Sequence, residues 1–220
     1  MSAGLGDILP APYNTGFLMN YNRLFLEDIP LNSVTQRVYD DYVIHFGTEL
    51  KKGIYRYKNF PRFSYVLDLL KPANRVLDVG VFTGQFLDSL ALSGKFNEVV
   101  GIDIVQKPGF RTISNNYEFK IADATNLPFP DNHFDAVVCM EVLEHLEIPD
   151  FPKALAEIRR VCAGQLIMSV PYNEQPPLST NHRQAFDDAK LLQNFPEAKM
   201  TILSERVKGS VKDIWVMLEE

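Results

Sequence analysis

The sequence predicts an α/β fold: a three-layer sandwich with a mostly parallel, seven-stranded sheet, helices on both faces and an amino-terminal helical extension. Two observations predict this class. From residue 75 onwards, short apolar segments typical of buried strands alternate with segments that have helical patterns. The last two strand-like segments, 200–207 and 213–219, follow each other across a short turn at Gly209 and Ser210, which indicates an antiparallel terminal hairpin.

Length and composition bound the class of protein. The 220 residues are 46% hydrophobic and 23% charged, which suits one soluble α/β domain with a modest extension. No apolar run approaches the roughly 18 residues that a membrane-spanning helix needs. The first residues lack the basic and apolar blocks of a signal peptide. We therefore expect a cytoplasmic protein with no membrane span.

Charge and cysteine content indicate which partners and which compartment to expect. The net charge is −6 and no basic run is present, so nucleic acid is a disfavoured partner. Cys139 and Cys162 have no metal-ligand spacing, which indicates core residues in a reducing compartment. The sequence makes no prediction of the oligomeric state.

We divide the chain into an amino-terminal arm and helical lid, residues 1–60, and the main α/β domain, residues 61–220. Within the arm, Ser33 is a candidate helix cap, which predicts a helix over 34–49. Several aromatic side chains are candidates to close over a site: Tyr13, Phe17, Tyr21, Tyr55 and Tyr57.

The elements of the main domain follow in order from a helix over 62–71 that begins near Pro61. Apolar runs predict strands and amphipathic segments predict helices; the strands are 76–79, 99–104, 117–122, 134–140 and 165–170, and the helices are 85–92, 150–162 and 183–194. The connection 107–116 contains Pro108 and Gly109, so we expect little helix there.

The turn after the first of these strands carries the main functional signal. Gly80 permits a sharp turn and a close approach of a ligand to the backbone, and Gly84 allows the next helix to pack closely. Asp103, at the tip of the second strand, is placed to accept both hydroxyls of a ribose. Phe82 occupies the position of the second glycine of a dinucleotide fingerprint, and Asp78 would repel a phosphate. These residues favour an amino-bearing nucleoside over a nicotinamide dinucleotide.

At these residues the chain resembles the class I S-adenosylmethionine-dependent methyltransferases, whose first motif reads approximately D-x-G-x-G-x-G. Phe82 departs from that motif. Three later segments resemble the same family: Ile121-Ala122-Asp123-Ala124, then Leu127 to Asp135, then Met140-Glu141-Val142-Leu143-Glu144-His145. The resemblance covers about residues 60–220 and implies the fold and the cofactor, S-adenosylmethionine.

The resemblance implies a role for each matching position. The residues near the methionine part of the cofactor would be Asp78, Gly80, Val81, Gly84 and Glu141. The residues at the ribose and the adenine would be Asp103, Ile104, Asp123 and Ala124. For each acid, the alternative is a residue that caps a strand end or a loop.

We expect an enzyme that methylates a small-molecule acceptor at oxygen, with natural products, quinones and saccharides all open. The alternatives are methylation of an amine, or a non-catalytic protein that uses this fold for binding or assembly. A fold shared by many activities does not name the acceptor.

An oxygen acceptor needs a base, and His145 and His182 follow the fourth and fifth strands on the expected acceptor side. Tyr172 and Asn173, in the loop after the fifth strand, are candidates to contact the substrate. A second hypothesis is a Mg²⁺ site; its ligands would be Glu141, Glu144, His145 and His182. Glu144 and His145 could instead only shape their loop.

Overall fold

The computed structural model describes residues 22–46, 59–207 and 210–220. The strands are β1 (Asn22–Phe25), β2 (Ala73–Val79), β3 (Phe96–Asp103), β4 (Glu118–Ile121), β5 (Phe134–Met140), β6 (Cys162–Tyr172), β7 (Lys199–Val207) and β8 (Ser210–Glu219). The helices are α1 (Ser33–Phe46), α2 (Asn59–Leu69), α3 (Gln85–Leu92), α4 (Phe151–Val161) and α5 (Asp188–Asn194).

The strands form one sheet in the order β1-β7-β8-β6-β5-β2-β3-β4. All neighbours are parallel except that β8 runs antiparallel to both β6 and β7. The predicted mostly parallel sheet with a terminal antiparallel hairpin is confirmed. The order reverses between β2 and β5, and ligands of open α/β sheets bind at such a switch point.

Within the described residues the sheet has eight strands and not the predicted seven. The additional strand, β1, comes from the amino-terminal arm and pairs parallel with β7, from Asn22 opposite Thr201 to Phe25 opposite Ser204. Four residues are too few to show a clear alternating pattern. This segment forms a strand only because it can pair with the edge strand β7. The division at residue 60 stays a prediction, and the arm's aromatic candidates Tyr13, Phe17, Tyr21, Tyr55 and Tyr57 lie outside the described residues.

Helices cover both faces of the sheet, as predicted. Helices α1, α2 and α3 share one apolar core with the sheet, in which Val38, Phe60 and Leu87 are fully buried. Helices α4 and α5 pack on the other face around Phe151 and Phe195. No helix among the described residues has the length and apolar character that would let it cross a bilayer.

Three predicted helix starts differ from the structure. The helix predicted over 62–71 begins at Asn59. Asn32, not Ser33, caps α1, because the Asn32 Oδ1 atom accepts a hydrogen bond from the Thr35 N–H at 2.9 Å. The helix predicted over 183–194 begins only at Asp188. The preceding residues are extended since Gln184 Nε2 donates to the carbonyls of Leu143 and Leu146 at 2.8 and 2.9 Å, which fastens this segment to the turn after β5.

Candidate functional site

A cleft of about 700 Å³ opens at the carboxyl ends of β2, β3 and β5, beneath one end of α2. Its lining includes nine of the positions that the sequence singled out: Asp78, Gly80, Val81, Asp103, Ile104, Asp123, Ala124, Glu141 and His145. The parallel strands explain this convergence, because residues that are far apart in sequence end at the same edge of the sheet.

The loop after β2 uses left-handed backbone conformations to turn into α3. Gly80, Phe82 and Gly84 have φ angles of 81°, 50° and 89°. A Cβ atom on Gly80 would lie 2.3 Å from Val142 Cγ2, so the close packing of the two loops requires glycine there. Gly84 does not line the cleft; its added Cβ would lie 2.7 Å from Thr112 Cγ2, so it serves the packing of α3.

Asp103 ends β3 and is fastened to this loop. Its Oδ2 atom accepts the backbone N–H of Phe82 at 3.0 Å, and its Oδ1 atom accepts the N–H of Val105 at 3.3 Å. The carboxylate is largely buried and borders the cleft. Each oxygen keeps a further lone pair, so the group can still accept hydroxyl donors.

Asp78 is a buried carboxyl group at the end of β2. Burial, and then the negative charge of Asp103, raise the pKa of Asp78 to about 7. Its Oδ2 atom has no hydrogen-bond partner among the described residues. A carboxyl group in that state binds an incoming cation or hydrogen-bond donor readily.

The other predicted cofactor positions border the cleft less deeply. Ile104 is 67% exposed and offers an apolar face. One oxygen of Asp123 caps its own turn, since Asp123 Oδ1 accepts from both the N–H and the hydroxyl of Thr125 at 2.8 Å. Phe82 is 45% exposed and also lines the cleft, where the family motif has glycine.

Glu141 and Arg62 face each other across the cleft. Glu141 adopts a left-handed φ of 54°, and its Oε1 atom accepts the Ser169 hydroxyl at 2.8 Å. Its Oε2 atom lies 3.5 Å from Arg62 Nη1. Our sequence analysis missed Arg62. The available signal was a basic residue on an otherwise apolar helix face, between Pro61 and Phe63.

The histidine cluster lies beside the cleft. The His145 and His182 rings are 5.0 Å apart, but only His145 lines the cleft. His145 Nδ1 lies 2.9 Å from the carbonyl oxygen of Asn181, and His182 Nδ1 lies 2.5 Å from Glu174 Oε2. Candidate ligand atoms of Glu144, His145 and His182 lie within 4.8 Å of one another. The fourth residue of the predicted metal set, Glu141, is bonded to Ser169 instead.

Glu144 is a buried acid beneath these histidines. Its Oε1 atom lies 3.8 Å from His145 Nε2, and its Oε2 atom has no partner within the described ranges. Burial, and then the charge of Glu141, raise the pKa of Glu144 well above its usual range.

Tyr172 and Asn173 do not lie among the described residues that line the cleft. The Tyr172 hydroxyl donates to Asp188 Oδ1 at 2.8 Å, and its ring packs 5.0 Å from the Trp215 ring. Asn173 donates its backbone N–H to the Phe186 carbonyl at 2.8 Å. In this arrangement both residues support the loop that carries Asn181 and His182.

Comparison with known proteins agrees with this geometry. A family model described as a methyltransferase domain matches residues 77–167, which include the turn after β2, Asp103, Asp123 and the Glu141–His145 segment. Residues 77–167 of the chain are therefore similar to a methyltransferase domain.

This chain is also similar to individual curated proteins over part of its length. It is 39% identical over 130 residues to the ubiquinone/menaquinone biosynthesis C-methyltransferase UbiE of Pseudomonas putida, covering 54% of this chain and 49% of that protein. The chain thus spans about half the length of the curated relatives it matches.

Two solved structures show the same fold. A methyltransferase of Methanosarcina mazei has a TM-score of 0.55 at 17% identity, over 70% of this chain and 95% of that one. A Burkholderia thailandensis 1,6-didemethyltoxoflavin-N1-methyltransferase, solved with S-adenosylhomocysteine, has a TM-score of 0.50 at 18% identity, over 88% and 80%.

The donor and acceptor groups of the cleft fit S-adenosylmethionine, the cofactor that the resemblance implies. Asp103 is placed for a diol, and the buried Asp78 oxygen without a partner in the described chain suits an ammonium group. The exposed apolar face of Ile104 suits a purine.

Proposed function

We propose that this protein transfers a methyl group from S-adenosylmethionine to a hydroxylated small molecule, most specifically a quinone-type aromatic ring. The observation that carries the proposal is that one cleft contains both the cofactor acids, Asp78 and Asp103, and a histidine, His145, on a different loop. Such a cleft can hold two reactants side by side, which converts a bimolecular reaction into a reaction within one complex.

On the cofactor side, the protein's role is to bind and orient. Asp103 would accept the ribose hydroxyls while the Phe82 N–H holds its carboxylate in place. Asp123, Ala124 and Ile104 would border the adenine. When bound, S-adenosylmethionine supplies a methyl group bonded to a sulfonium sulfur, which is itself a good leaving group. The protein therefore needs no residue to activate the methyl group.

On the acceptor side, His145 is the candidate base. In the neutral imidazole, a donor Nδ1–H toward the Asn181 carbonyl at 2.9 Å leaves the lone pair on Nε2. His145 Nε2 can then accept the proton of an acceptor hydroxyl. His182 packs against the His145 ring and is itself held by Glu174, so we assign it a positioning role and His145 the direct one.

A quinone-type acceptor is compatible with methylation at oxygen and with methylation at a ring carbon. Deprotonation of a ring hydroxyl makes both the oxygen and the neighbouring ring carbon nucleophilic, so one base serves either methylation. The relative from Pseudomonas putida is by name a C-methyltransferase of ubiquinone/menaquinone biosynthesis. We therefore place ring-carbon methylation beside the O-methylation that the sequence suggested, and natural-product and saccharide hydroxyls or an amine remain further acceptors.

Product analysis tests the proposal. The protein is incubated with methyl-¹³C-labelled cofactor and a panel of hydroquinones, catechols, simple sugars and amines. We expect a labelled hydroquinone product, and ¹³C NMR distinguishes a methoxy group from a ring methyl group. Labelling of sugars or amines alone would overturn the aromatic acceptor, and the absence of product with any of them would favour the second candidate below.

The second candidate is a non-catalytic protein that binds S-adenosylmethionine or its product. The exposed Phe82 ring in the cofactor loop is the observation that favours it. Tight binding of S-adenosylhomocysteine without turnover of any acceptor would support this candidate, while turnover would exclude it.

A divalent cation is a separate proposal for the histidine cluster. Glu144, His145 and His182 have ligand atoms within 4.8 Å of one another, which suits a cation such as Mg²⁺ only if further oxygen ligands complete the shell. Turnover that survives extensive chelation with no change in rate would exclude a metal requirement.

A further inference from the structure

One short stretch of the chain, the bracing segment 181–184, holds the turn that carries His145. The Asn181 carbonyl oxygen lies 2.9 Å from His145 Nδ1. The backbone N–H of Arg183 donates to the Glu144 carbonyl at 2.8 Å. Both contacts use backbone groups of the bracing segment, so they require it to lie along the turn but do not depend on its side chains.

Gln184 supplies the side-chain contacts of the bracing segment. Its Nε2 atom donates to the Leu143 carbonyl at 2.8 Å and to the Leu146 carbonyl at 2.9 Å. The two hydrogens of one amide thus bond carbonyls on either side of His145. Because Gln184 is only 5% exposed, these hydrogen bonds are shielded from competing solvent. The position of the turn therefore depends on this one amide.

Lys190, on α5, determines which way the Gln184 amide points. The Lys190 ammonium donates to Gln184 Oε1. An ammonium group has donors only, so it can bond the amide oxygen but not the amide nitrogen, and the NH₂ group is left facing the turn. The rings of Phe186 and Phe151 hold the ammonium in place, with centroids 4.3 and 5.2 Å from Lys190 Nζ. Lys190 therefore acts on the turn through Gln184.

We propose that Gln184 and Lys190 are positioning residues that hold the turn of His145 so that its Nε2 atom faces the acceptor. The assignment rests on the proposed function, since it presumes that His145 is the base. A general base must lie within hydrogen-bond reach of the proton that it takes, and a displacement of about 1 Å can cost about 100-fold in rate. The proton moves from the acceptor hydroxyl to His145 Nε2, and the two positioning residues exchange none.

The bracing segment also selects the tautomer of the His145 ring. A carbonyl oxygen has no hydrogen to donate, so the neutral ring must carry its proton on Nδ1 to form a hydrogen bond with Asn181. When the bracing segment moves away from the turn, the ring loses this preference for the Nδ1–H tautomer. The tautomer of His145 therefore reports on the position of the segment without any need for turnover.

Steady-state kinetics with a hydroquinone acceptor test the assignment. Gln184→Glu keeps the size of the side chain but has no N–H to donate, and its charge repels the two carbonyls. We expect kcat to fall about 10- to 100-fold, while calorimetry should show S-adenosylhomocysteine affinity changed less than about twofold. Lys190→Met removes only the ammonium and should lower kcat about 3- to 10-fold. Lys190→Arg keeps a donor and should recover most of that loss.

Nuclear magnetic resonance of ¹⁵N-histidine-labelled protein gives a readout that needs no acceptor. The spectrum of His145→Gln assigns the His145 ring. We expect the neutral ring of the unmodified protein to carry its proton on Nδ1, and we expect both tautomers in Gln184→Glu. Lys199→Met is the matched control for Lys190→Met, because Lys199 is an exposed lysine at the start of β7 that pairs with Glu220 at 2.6 Å, at the edge of the sheet opposite the cleft. It should change neither kcat nor the tautomer.

The outcomes separate the positioning role from the proposed function. An unchanged kcat or an unchanged His145 tautomer in Gln184→Glu would overturn the positioning role, and so would an equal loss of kcat and of cofactor affinity. If Gln184→Glu does not fold, the Lys190 variants decide, and Lys190→Met behaving like Lys199→Met would overturn the role. An unchanged kcat in His145→Gln would instead remove the base itself, which is a failure of the proposed function.

Discussion

The backbone N–H of Phe82 donates a hydrogen bond to Asp103 Oδ2 at 3.0 Å, across 21 residues of sequence. This bond joins the left-handed turn after β2 to the tip of β3. The acid predicted to bind a ribose therefore also holds the loop that borders the methionine part of the cleft. The proposed cofactor binding and the observed loop geometry therefore depend on the same carboxylate.

Replacing Asp103 separates these two roles. Asp103→Ala removes both the ribose acceptor and the loop contact, so we expect S-adenosylhomocysteine affinity to fall at least about 10-fold. Asp103→Asn keeps an oxygen for the Phe82 N–H and should retain more affinity than alanine. Calorimetry measures the affinities of both variants. Unchanged binding by the alanine variant would show that Asp103 does not bind the cofactor.

Phe82 is expected to limit cofactor affinity. Its ring is exposed in the cleft, and its left-handed φ of 50° costs about 1–2 kcal/mol for a non-glycine residue. Phe82→Gly should tighten S-adenosylhomocysteine binding. The free energy of unfolding should change little, because the greater freedom of glycine in the unfolded chain offsets the relieved strain. Titration and urea unfolding give the two results. Weaker binding of the glycine variant would instead mean that the ring contacts the ligand favourably.

Gly80 is expected to tolerate no side chain. An added Cβ would meet Val142 Cγ2 at 2.3 Å, and φ is 81°, so Gly80→Ala should destabilise the fold by about 2–3 kcal/mol. The double variant with Val142→Ala removes the clash but not the strained φ, so it should recover only part of the loss. Urea denaturation measures both. Full stability of the single variant would contradict the packing of the two loops.

Asp78 should make stability depend on pH in a defined direction. Its pKa is raised from 3.8 to about 7, so the folded state holds this proton more tightly than the unfolded state does. Stability from this group is therefore lost as the pH rises from about 4 to about 7, and the full cost is present above pH 7.

Asp78→Asn removes that cost while keeping the shape of the side chain. Without ligand, the variant should be more stable than the unmodified protein, and its advantage should grow by roughly 2–3 kcal/mol between pH 5 and pH 8. It should also bind S-adenosylhomocysteine more weakly, since the ammonium partner is gone. Asp103, Arg62 and Glu141 also face the cleft but are common to both proteins. A constant difference across this pH range would contradict the raised pKa.

His145 is expected to affect turnover and not cofactor binding. With a hydroxyl acceptor, His145→Gln should lower kcat about 10²- to 10⁴-fold, the usual contribution of a general base. S-adenosylhomocysteine affinity should stay within about twofold. His133→Gln is the matched control, since His133 stacks on Phe129 before β5, at the opposite edge of the sheet. Equal kcat values for the His145→Gln and His133→Gln variants would show that His145 is not the base.

Much of the fold followed from the sequence because it depends on local patterns. The apolar run 134–140 and the helix 85–92 have the predicted bounds, since a buried strand and a helix after a glycine turn are each specified by neighbouring residues. Strand β1 could not be predicted in this way, because four residues without a periodic pattern become a strand only beside β7.

The sequence by itself determined the α/β fold class, the resemblance to the class I methyltransferases and the acids at the strand ends, because those residues stand at fixed spacings in motifs that fold locally. Only the tertiary structure decided which side chains share the cleft. It brought Arg62 from α2 and Gln85 from α3 into that cleft, and it placed Tyr172 against Asp188 and Trp215. Contacts between elements distant in sequence depend on how helices and strands pack, and no local pattern encodes that packing.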